Sequence, residues 1–270
     1  MAFDGSSFSD GSLKFLKELN SVNPLFISGA FLPQTDVANL WSYASAGMQG
    51  GSFVPLVEAA DSQTINKNIS RFVSFCKTNR ISHSIHKEYF DFALPELKRE
   101  SRFADLIVVS SEKFYENAGT EVPNEYLTNL LHGIECPALV LNEHSTFPKS
   151  NILAYDGSES SVFAIKQFAY LFPEFSRNKT TLLNVHRNAN HLFPDEPNIR
   201  ELAGLHFPHL KVNKLEFEPK KFLSTWMDEV PAPILVSGAF SRSEVSMIFH
   251  KSFVNEIIAD QNVPVFIAHR

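Results

Sequence analysis

Short strand-like runs alternate with longer helix-patterned segments along the whole chain. The runs with strand character are residues 25–27, 82–86, 106–109, 138–141, 152–155, 181–185, 211–217, 234–236 and 263–268. The segments with helical patterning are residues 69–79, 94–100, 124–131, 158–171, 201–207, 222–229 and 244–259. Ser158 and Ser160 are suited to cap the helix that begins near them, because a serine hydroxyl accepts a hydrogen bond from a first-turn amide. The alternation predicts an α/β fold with a mainly parallel sheet covered on both faces.

The chain also repeats itself at long period. Three pairs of blocks keep the same order in each half: residues 2–6 with 154–158, 105–110 with 233–238, and 135–141 with 262–268. The polar stretch 142–150 between the two sets reads as a linker. We therefore predict two domains, residues 1–143 (the first half) and 150–270 (the second half). The first strand of the first half is about three residues shorter than its counterpart, which leaves open whether the sheet tolerates this or the native start lies upstream.

Composition narrows the class of protein further. The 270 residues are 44% hydrophobic and 20% charged, which is typical of a globular chain with a full core. The formal charge of -6 argues against a nucleic-acid surface, since such surfaces need clustered Lys and Arg. The 25 Phe residues indicate core packing or an apolar pocket. No run is long enough to cross a membrane, and no signal peptide is evident. We expect no nucleic-acid and no membrane partner.

The two cysteines, Cys76 and Cys136, lie far apart in the sequence and cannot form a disulfide framework. They favour a reducing compartment, and we expect the protein to be cytoplasmic. We interpret Cys136, which precedes a proline and an apolar run, as a small buried hydrophobe.

Three motifs carry a resemblance to a known family. They are an aspartate in a (Tyr/Phe)-Asp-Gly-Ser turn after the first strand, an Ala-Asp-Leu-Ile-Val-Val strand, and a closing Cys-Pro-Ala-Leu-Val-Leu strand. In this order they resemble the universal stress proteins, over essentially the whole chain and as a tandem member. The resemblance implies two Rossmann-like domains of the adenine nucleotide alpha hydrolase type, each with five parallel strands. It also implies a non-catalytic stress-response or signalling module whose halves dock as a pseudo-dimer.

The closing strands of the two halves are the expected contact of that pseudo-dimer. Both are apolar, and a bare edge strand invites pairing with another strand. We predict that residues 138–141 pair with residues 265–268. Cysteines at Val140 and Phe266 are the crosslink that the sequence suggests for testing this.

Members of the family that bind ATP carry Gly-x2-Gly-x9-Gly-(Ser/Thr) after the fourth strand, where glycines let backbone amides approach phosphate. The second half keeps the spacing but only one glycine: Gly238 is followed by Ser241, and Lys251-Ser252 stands in place of Gly-Ser. By this resemblance an adenine nucleotide (ATP or AMP) is the expected ligand. The residues assigned to its site are Asp156, Val185, Gly238, Ser241, Lys251, Ser252 and Phe253. Alternatively, Gly238 merely turns the chain and Ser252 lies on a helix.

The first half departs further from this pattern. Its fourth strand is followed by Ser110-Ser111-Glu112 without the glycine spacing, and Glu112 and Glu116 would repel phosphate. We expect Asp4 to cap the following helix or to hydrogen-bond its own turn, and no nucleotide to bind in this half.

The histidines are the candidates for metal ligands and for contacts to a base. His83 and His86 should point to opposite faces of a strand, and His206 and His209 flank a proline, so we expect no metal site. His186, after the second strand of the second half, could contact a base or be a loop histidine.

No nucleophile elbow or Walker A loop occurs, and no nucleophile, base and orienting group stand together in the sequence, so we expect a non-enzyme, with weak ATPase activity left open. The alternatives are a nucleotide-independent scaffold or small-molecule-binding protein, with residues 34–62 as a lid, a docking surface or an ordinary connection, and an unrecognised hydrolase or transferase.

Overall fold

A computed structural model describes residues 1–32, 59–87, 93–116, 123–186, 192–216, 226–227, 229–238, 257–258 and 263–269. The helices in this part of the chain are α1 Asp10–Val22, α2 Ala59–Thr78, α3 Ala93–Ser101, α4 Glu125–Gly133, α5 Glu159–Leu171 and α6 Glu196–His206, with a 3-10 helix at Pro173–Arg177. The strands are β1 Ala2–Phe3, β2 Phe26–Phe31, β3 Ser82–Lys87, β4 Ile107–Ser110, β5 Ala138–Leu141, β6 Ser150–Ala154, β7 Lys179–His186, β8 Leu210–Glu216, β9 Pro233–Ser237 and β10 Val265–Ile267. These elements confirm the predicted α/β class.

Side-chain caps define where three of the helices begin. The side chains of Ser9, Asn124 and Ser158 accept hydrogen bonds from first-turn amides of α1, α4 and α5. Ser158 was one of the two caps predicted from the sequence, and its hydroxyl accepts from Ser161 N at 3.1 Å. Helix α1 was not among the predicted elements. Most of the predicted helices 222–229 and 244–259 and most of the segment 34–62 lie outside the described residues, and the described residues 226–227 and 257–258 are helical.

The sheet of the second half has the strand order β8-β7-β6-β9-β10, and all of its neighbours are parallel. The described part of the first half also contains five strands, but they are divided between two sheets. Strands β1, β2 and β3 form a separate three-stranded sheet, whereas β4 and β5 belong to a seven-stranded sheet with the whole second half. Strand β1 lies beside β4 without a hydrogen-bonded ladder, and it has only two residues where β6 has five.

The two halves meet through their closing strands. Strand β10 pairs with β5 in antiparallel fashion, and this is the one antiparallel ladder among the described strands. Val265 lies opposite Val140, and Phe266 lies opposite Leu139. The crosslink suggested from the sequence, Val140 with Phe266, is therefore wrong by one residue. Side chains alternate across a strand, so that pair faces opposite sides of the sheet.

The core consists of two layers, one on each face of the sheets, and both layers span the two halves. One layer is rich in aromatic side chains, including Phe3, Phe31 and Phe72 in the first half and Phe168 and Phe266 in the second. Core packing thus accounts for many of the phenylalanines. Within the described ranges, no helix is both long and apolar enough to cross a membrane.

Candidate functional site

The turn after β6 holds the aspartate assigned to the nucleotide site. Asp156 is half-buried, and its Oδ1 accepts a hydrogen bond from Ser158 N at 2.9 Å. Gly157 between them has φ +84°, and a Cβ there would lie 2.6 Å from the Pro194 side chain. Glycine is therefore required on both backbone and steric grounds. The turn places Asp156 directly before the amino terminus of α5.

Gly238 follows β9 at the same edge of the sheet. A Cβ on Gly238 would lie 2.2 Å from the carbonyl carbon of Ser160 and 2.3 Å from the amide nitrogen of Ser161. The chain leaving β9 thus runs against the first turn of α5, at a distance that only glycine permits. Asp156, the amino terminus of α5 and Gly238 are therefore brought together at this edge of the sheet.

The other residues assigned to the nucleotide site add nothing to this cluster. Val185 is fully buried near the end of β7 and belongs to the core layer that also contains Ala154 and Leu235. His186 is the last residue of β7. Ser241, Lys251, Ser252 and Phe253 lie outside the described residues.

In the first half, the aspartate equivalent to Asp156 is fully engaged. Asp4 is 4% exposed, and its two oxygens accept hydrogen bonds from Ser7 N at 2.7 Å and Tyr115 N at 3.0 Å. Burial raises the pKa of the Asp4 carboxyl above its ordinary value, although these hydrogen bonds act in the opposite direction. Asp4 therefore forms a hydrogen bond within its own turn, as predicted, and another with the loop that follows β4.

Tyr115 fills the space at the carboxyl end of the first-half strands. Its backbone amide donates to Asp4 after β1, and its hydroxyl donates to the Leu32 carbonyl after β2 at 2.6 Å. Its ring stacks on Tyr126 of α4 with centroids 4.3 Å apart. Tyr115 is 3% exposed and adopts a left-handed φ of +54°. One side chain thus spans the region where parallel α/β sheets bind ligands.

Acidic side chains surround this closed position. Glu116 accepts hydrogen bonds from the Ser7 hydroxyl at 2.9 Å and from the Lys113 ammonium at 2.7 Å. Although burial raises the pKa of Glu116, these two donors lower it below its ordinary value, so the side chain stays anionic. Glu112 accepts from the Glu143 amide. A phosphate placed here would meet the Glu116 carboxylate, which is paired with Lys113.

A serine, a histidine and a carboxylate stand together on β3 and α3, an arrangement that the sequence analysis missed. His86 Nδ1 lies 2.7 Å from Glu100 Oε2, and His86 Nε2 lies 3.4 Å from Ser84 Oγ. Ser84 donates instead to Ser28 Oγ at 2.9 Å, so its hydrogen is directed away from the imidazole. The array joins β3 to α3 and β2. The Ser-x-His alternation on one strand face was the signal that could have revealed it.

The histidines of β3 do point to opposite faces, as predicted. His83 packs edge-on against Phe72 of α2, whereas His86 bonds Glu100 of α3. In the described ranges, no group of three or more His, Cys, Asp or Glu residues could hold a metal ion.

The comparison with known proteins gives matches in structure but none in sequence. No protein-family model matches the chain, and no curated protein matches it in sequence. A universal stress protein from Archaeoglobus fulgidus DSM 4304 is similar over 100% of this chain and 94% of its own, with a TM-score of 0.70 and 15% identity.

Two solved structures from Pseudomonas aeruginosa are also similar over 99% of this chain. A protein of unknown function from strain PAO1 is covered over 90% of its length, with a TM-score of 0.55 and 11% identity. A protein assigned to the universal stress proteins, from strain UCBPP-PA14, is covered over 91%, with a TM-score of 0.53 and 12% identity. The chain, with its repeated β-α design and joined closing strands, therefore has the fold of the universal stress proteins in tandem form.

Proposed function

We propose that this chain is a universal-stress-type binding module, with a role in stress response or signalling, whose second half alone binds an adenine nucleotide. The observation that carries the proposal is the contrast between the two equivalent aspartates. Asp4 is buried and bonded to Tyr115, whereas Asp156 is half-buried beside the amino terminus of α5 and Gly238.

The surroundings of Asp156 suit the parts of a nucleotide. A helix amino terminus presents free amides and a positive dipole end to a phosphate. Gly238 brings the chain after β9 close to that terminus, and the sequence then supplies the Ser241, Lys251 and Ser252 side chains at the family's spacing. The Asp156 carboxylate would accept a hydrogen bond from the ribose or the base. The proposed role is binding rather than turnover, in the cytoplasm.

The decisive experiment is to recover bound nucleotide and then to titrate it back. The purified protein is denatured, its supernatant is chromatographed, and ATP is titrated calorimetrically into the stripped protein. Near one nucleotide per chain is expected, and Asp156→Ala and Ser252→Ala should each abolish the heat of binding. Asp10→Ala is the matched control because Asp10 is an exposed acid paired with Arg71 in the first half. No released nucleotide and no heat would contradict the proposal.

A second candidate function follows from Tyr115. In the first half a side chain of the protein itself occupies the ligand position. If the second half is closed in the same way, the module acts without nucleotide, as a scaffold or as a small-molecule-binding protein. The same titration decides between the two, because a nucleotide-independent module gives no heat with ATP.

A further inference from the structure

A cavity of about 420 Å³ lies between α5 and α6, outside the sheet. Its apolar walls are Val162 and Phe163 on α5, and Ile199 and Leu202, which lie three residues apart on α6. The volume falls within the range of small-molecule sites, which is roughly 300–1,000 Å³. The cavity shares α5 with the proposed nucleotide site but is bounded by α6 rather than by Gly238.

A largely buried tyrosine lines one end of this cavity. Tyr155 is 1% exposed, lines the cavity, and stacks on Phe193 with ring centroids 5.6 Å apart. Among the described residues, its hydroxyl has no hydrogen-bond partner. Burial, together with the nearby carboxylates Asp195 and Asp156, raises the pKa of Tyr155, so the hydroxyl stays protonated and can both donate and accept.

Carboxylates line the same end of the cavity. Glu159 stands in the first turn of α5 and Asp195 immediately precedes α6, and both line the cavity. The Asp195 side chain makes no capping hydrogen bond to α6. Within the described residues, neither carboxylate forms an ion pair, whereas the neighbouring Glu196 is paired with Arg200 at 2.6 Å. Lys166 lies two turns further along α5, so it marks the opposite end of the groove.

We propose that this cavity binds a small apolar amine. The ammonium lies between Glu159 and Asp195 and donates to the Tyr155 hydroxyl oxygen, and the apolar body lies between the α5 and α6 side chains. Anionic ligands, including phosphates, are rejected because two carboxylates meet them at the polar end. The inference goes beyond the proposed function and does not depend on nucleotide binding.

The test uses 2-phenylethylamine as the probe, with 2-phenylethanol and phenylacetate as matched neutral and anionic compounds. Binding to the full chain is measured by calorimetry and by ligand-observed NMR. We expect saturable binding of the amine, weaker binding of the alcohol by roughly tenfold or more because a charge-assisted hydrogen bond is lost, and no binding of phenylacetate.

Variants assign the site. Asp195→Asn should weaken amine binding roughly tenfold and leave binding of the alcohol unchanged, because only the charge is removed. Tyr155→Phe keeps the ring and should weaken binding of both compounds. Glu201→Gln removes an exposed acid of α6 that does not line the cavity and should change nothing.

Three results would overturn the inference: no saturable binding of the amine, equal binding of phenylacetate, or an unchanged affinity in Asp195→Asn. Saturating ATP serves to separate the two sites. Amine binding that persists in ATP, or in a protein that binds no ATP, supports a site of its own, whereas competitive displacement by ATP counts against it.

Discussion

At the scale of single residues, Tyr115 ties together the loops that follow the first-half strands. A tyrosine at φ +54° is strained, since left-handed backbone is unfavourable for a side chain with a Cβ. The strain is offset by two hydrogen bonds, one from the Tyr115 amide to Asp4 and one from its hydroxyl to the Leu32 carbonyl. Stacking of its ring on Tyr126 adds to them. The first half thus gains a buried polar network at the place where its counterpart is proposed to hold a nucleotide.

Asp4→Ala should destabilise the protein by about 3 kcal/mol, because it leaves the buried Ser7 and Tyr115 amides without an acceptor. Urea unfolding at neutral pH measures this. Asp10→Ala is the control, and loss of its exposed ion pair with Arg71 should change stability by less than about 1 kcal/mol. Equal effects of the two substitutions would contradict the role given to Asp4.

The destabilisation caused by Asp4→Ala should also depend on pH. The pKa of Asp4 is raised in the folded protein above its unfolded value. Its contribution to stability is therefore fully present below the unfolded pKa and is partly lost as pH rises through the folded pKa. The difference between parent and Asp4→Ala should be larger in mildly acidic buffer than at neutral pH. A difference that grows with rising pH would contradict this.

Both cysteines should react slowly with thiol reagents. Burial raises the pKa of Cys76 and of Cys136 to about 11, which leaves roughly 100-fold less thiolate at pH 8 than an ordinary thiol has. Cys136 is half-buried rather than fully buried, so it should react first. Absorbance after addition of a disulfide reagent measures the rate, and urea-unfolded protein is the control. Fast reaction of both thiols in the folded state would contradict the burial.

Residue-level chemistry was only partly predictable. The Asp-Gly-Ser turns could be found because this three-residue pattern is a local signal, visible at both Asp4 and Asp156. The closure by Tyr115 could not be found, because it depends on a left-handed tyrosine meeting Leu32 more than eighty residues away. The Tyr155 cavity was missed for the same reason, since α5 and α6 are brought together only in the folded chain.

At the scale of elements, the packing of β9 against α5 can be tested with a pair of glycines. Gly238→Ala should destabilise the protein by about 2 kcal/mol, because the new Cβ would collide with the backbone of Ser160 and Ser161. Gly204→Ala, inside α6, meets nothing within 4 Å and should stabilise the protein by roughly 0.5–1 kcal/mol through helix propensity. Thermal unfolding distinguishes them, and a neutral Gly238→Ala would contradict the close approach.

The strands were predicted more reliably than the helices. Strand β5 matches its prediction of residues 138–141, because a continuous apolar run bounded by a proline has few other interpretations. Helix α1 was missed even though Ser9 caps it and Leu13, Leu16 and Leu19 form a buried stripe. The reason is that Gly11 and the polar residues at both ends of the helix, 10–12 and 20–21, weaken its helical pattern. Sequence periodicity gives the type of an element more securely than its ends.

At the scale of the whole molecule, the two copies of the repeat differ in how their strands are hydrogen-bonded. Among the described residues, the second half has a continuous five-stranded parallel sheet, and the first half has the same strands with a gap in hydrogen bonding between β1 and β4. The two-residue β1 forms a ladder with β2 but none with β4, whereas β6 pairs with both β7 and β9. The continuous part of the molecule is therefore the seven-stranded sheet joined at β5 and β10, which makes that junction the main structural connection between the halves.

The register of that junction gives the last prediction. Val140→Cys with Val265→Cys should form a disulfide, because directly opposed residues of an antiparallel pair lie about 4.5–5.5 Å apart between Cα atoms, within the disulfide range. Cys76→Ala and Cys136→Ala provide the background, and loss of free thiol together with mass spectrometry of the crosslinked peptides is the measurement. Val140→Cys with Phe266→Cys is the matched control and should stay reduced, because its side chains lie on opposite faces of the sheet. Crosslinking of the control pair alone would shift the register by one residue and exchange the side chains that β10 contributes to the two core layers.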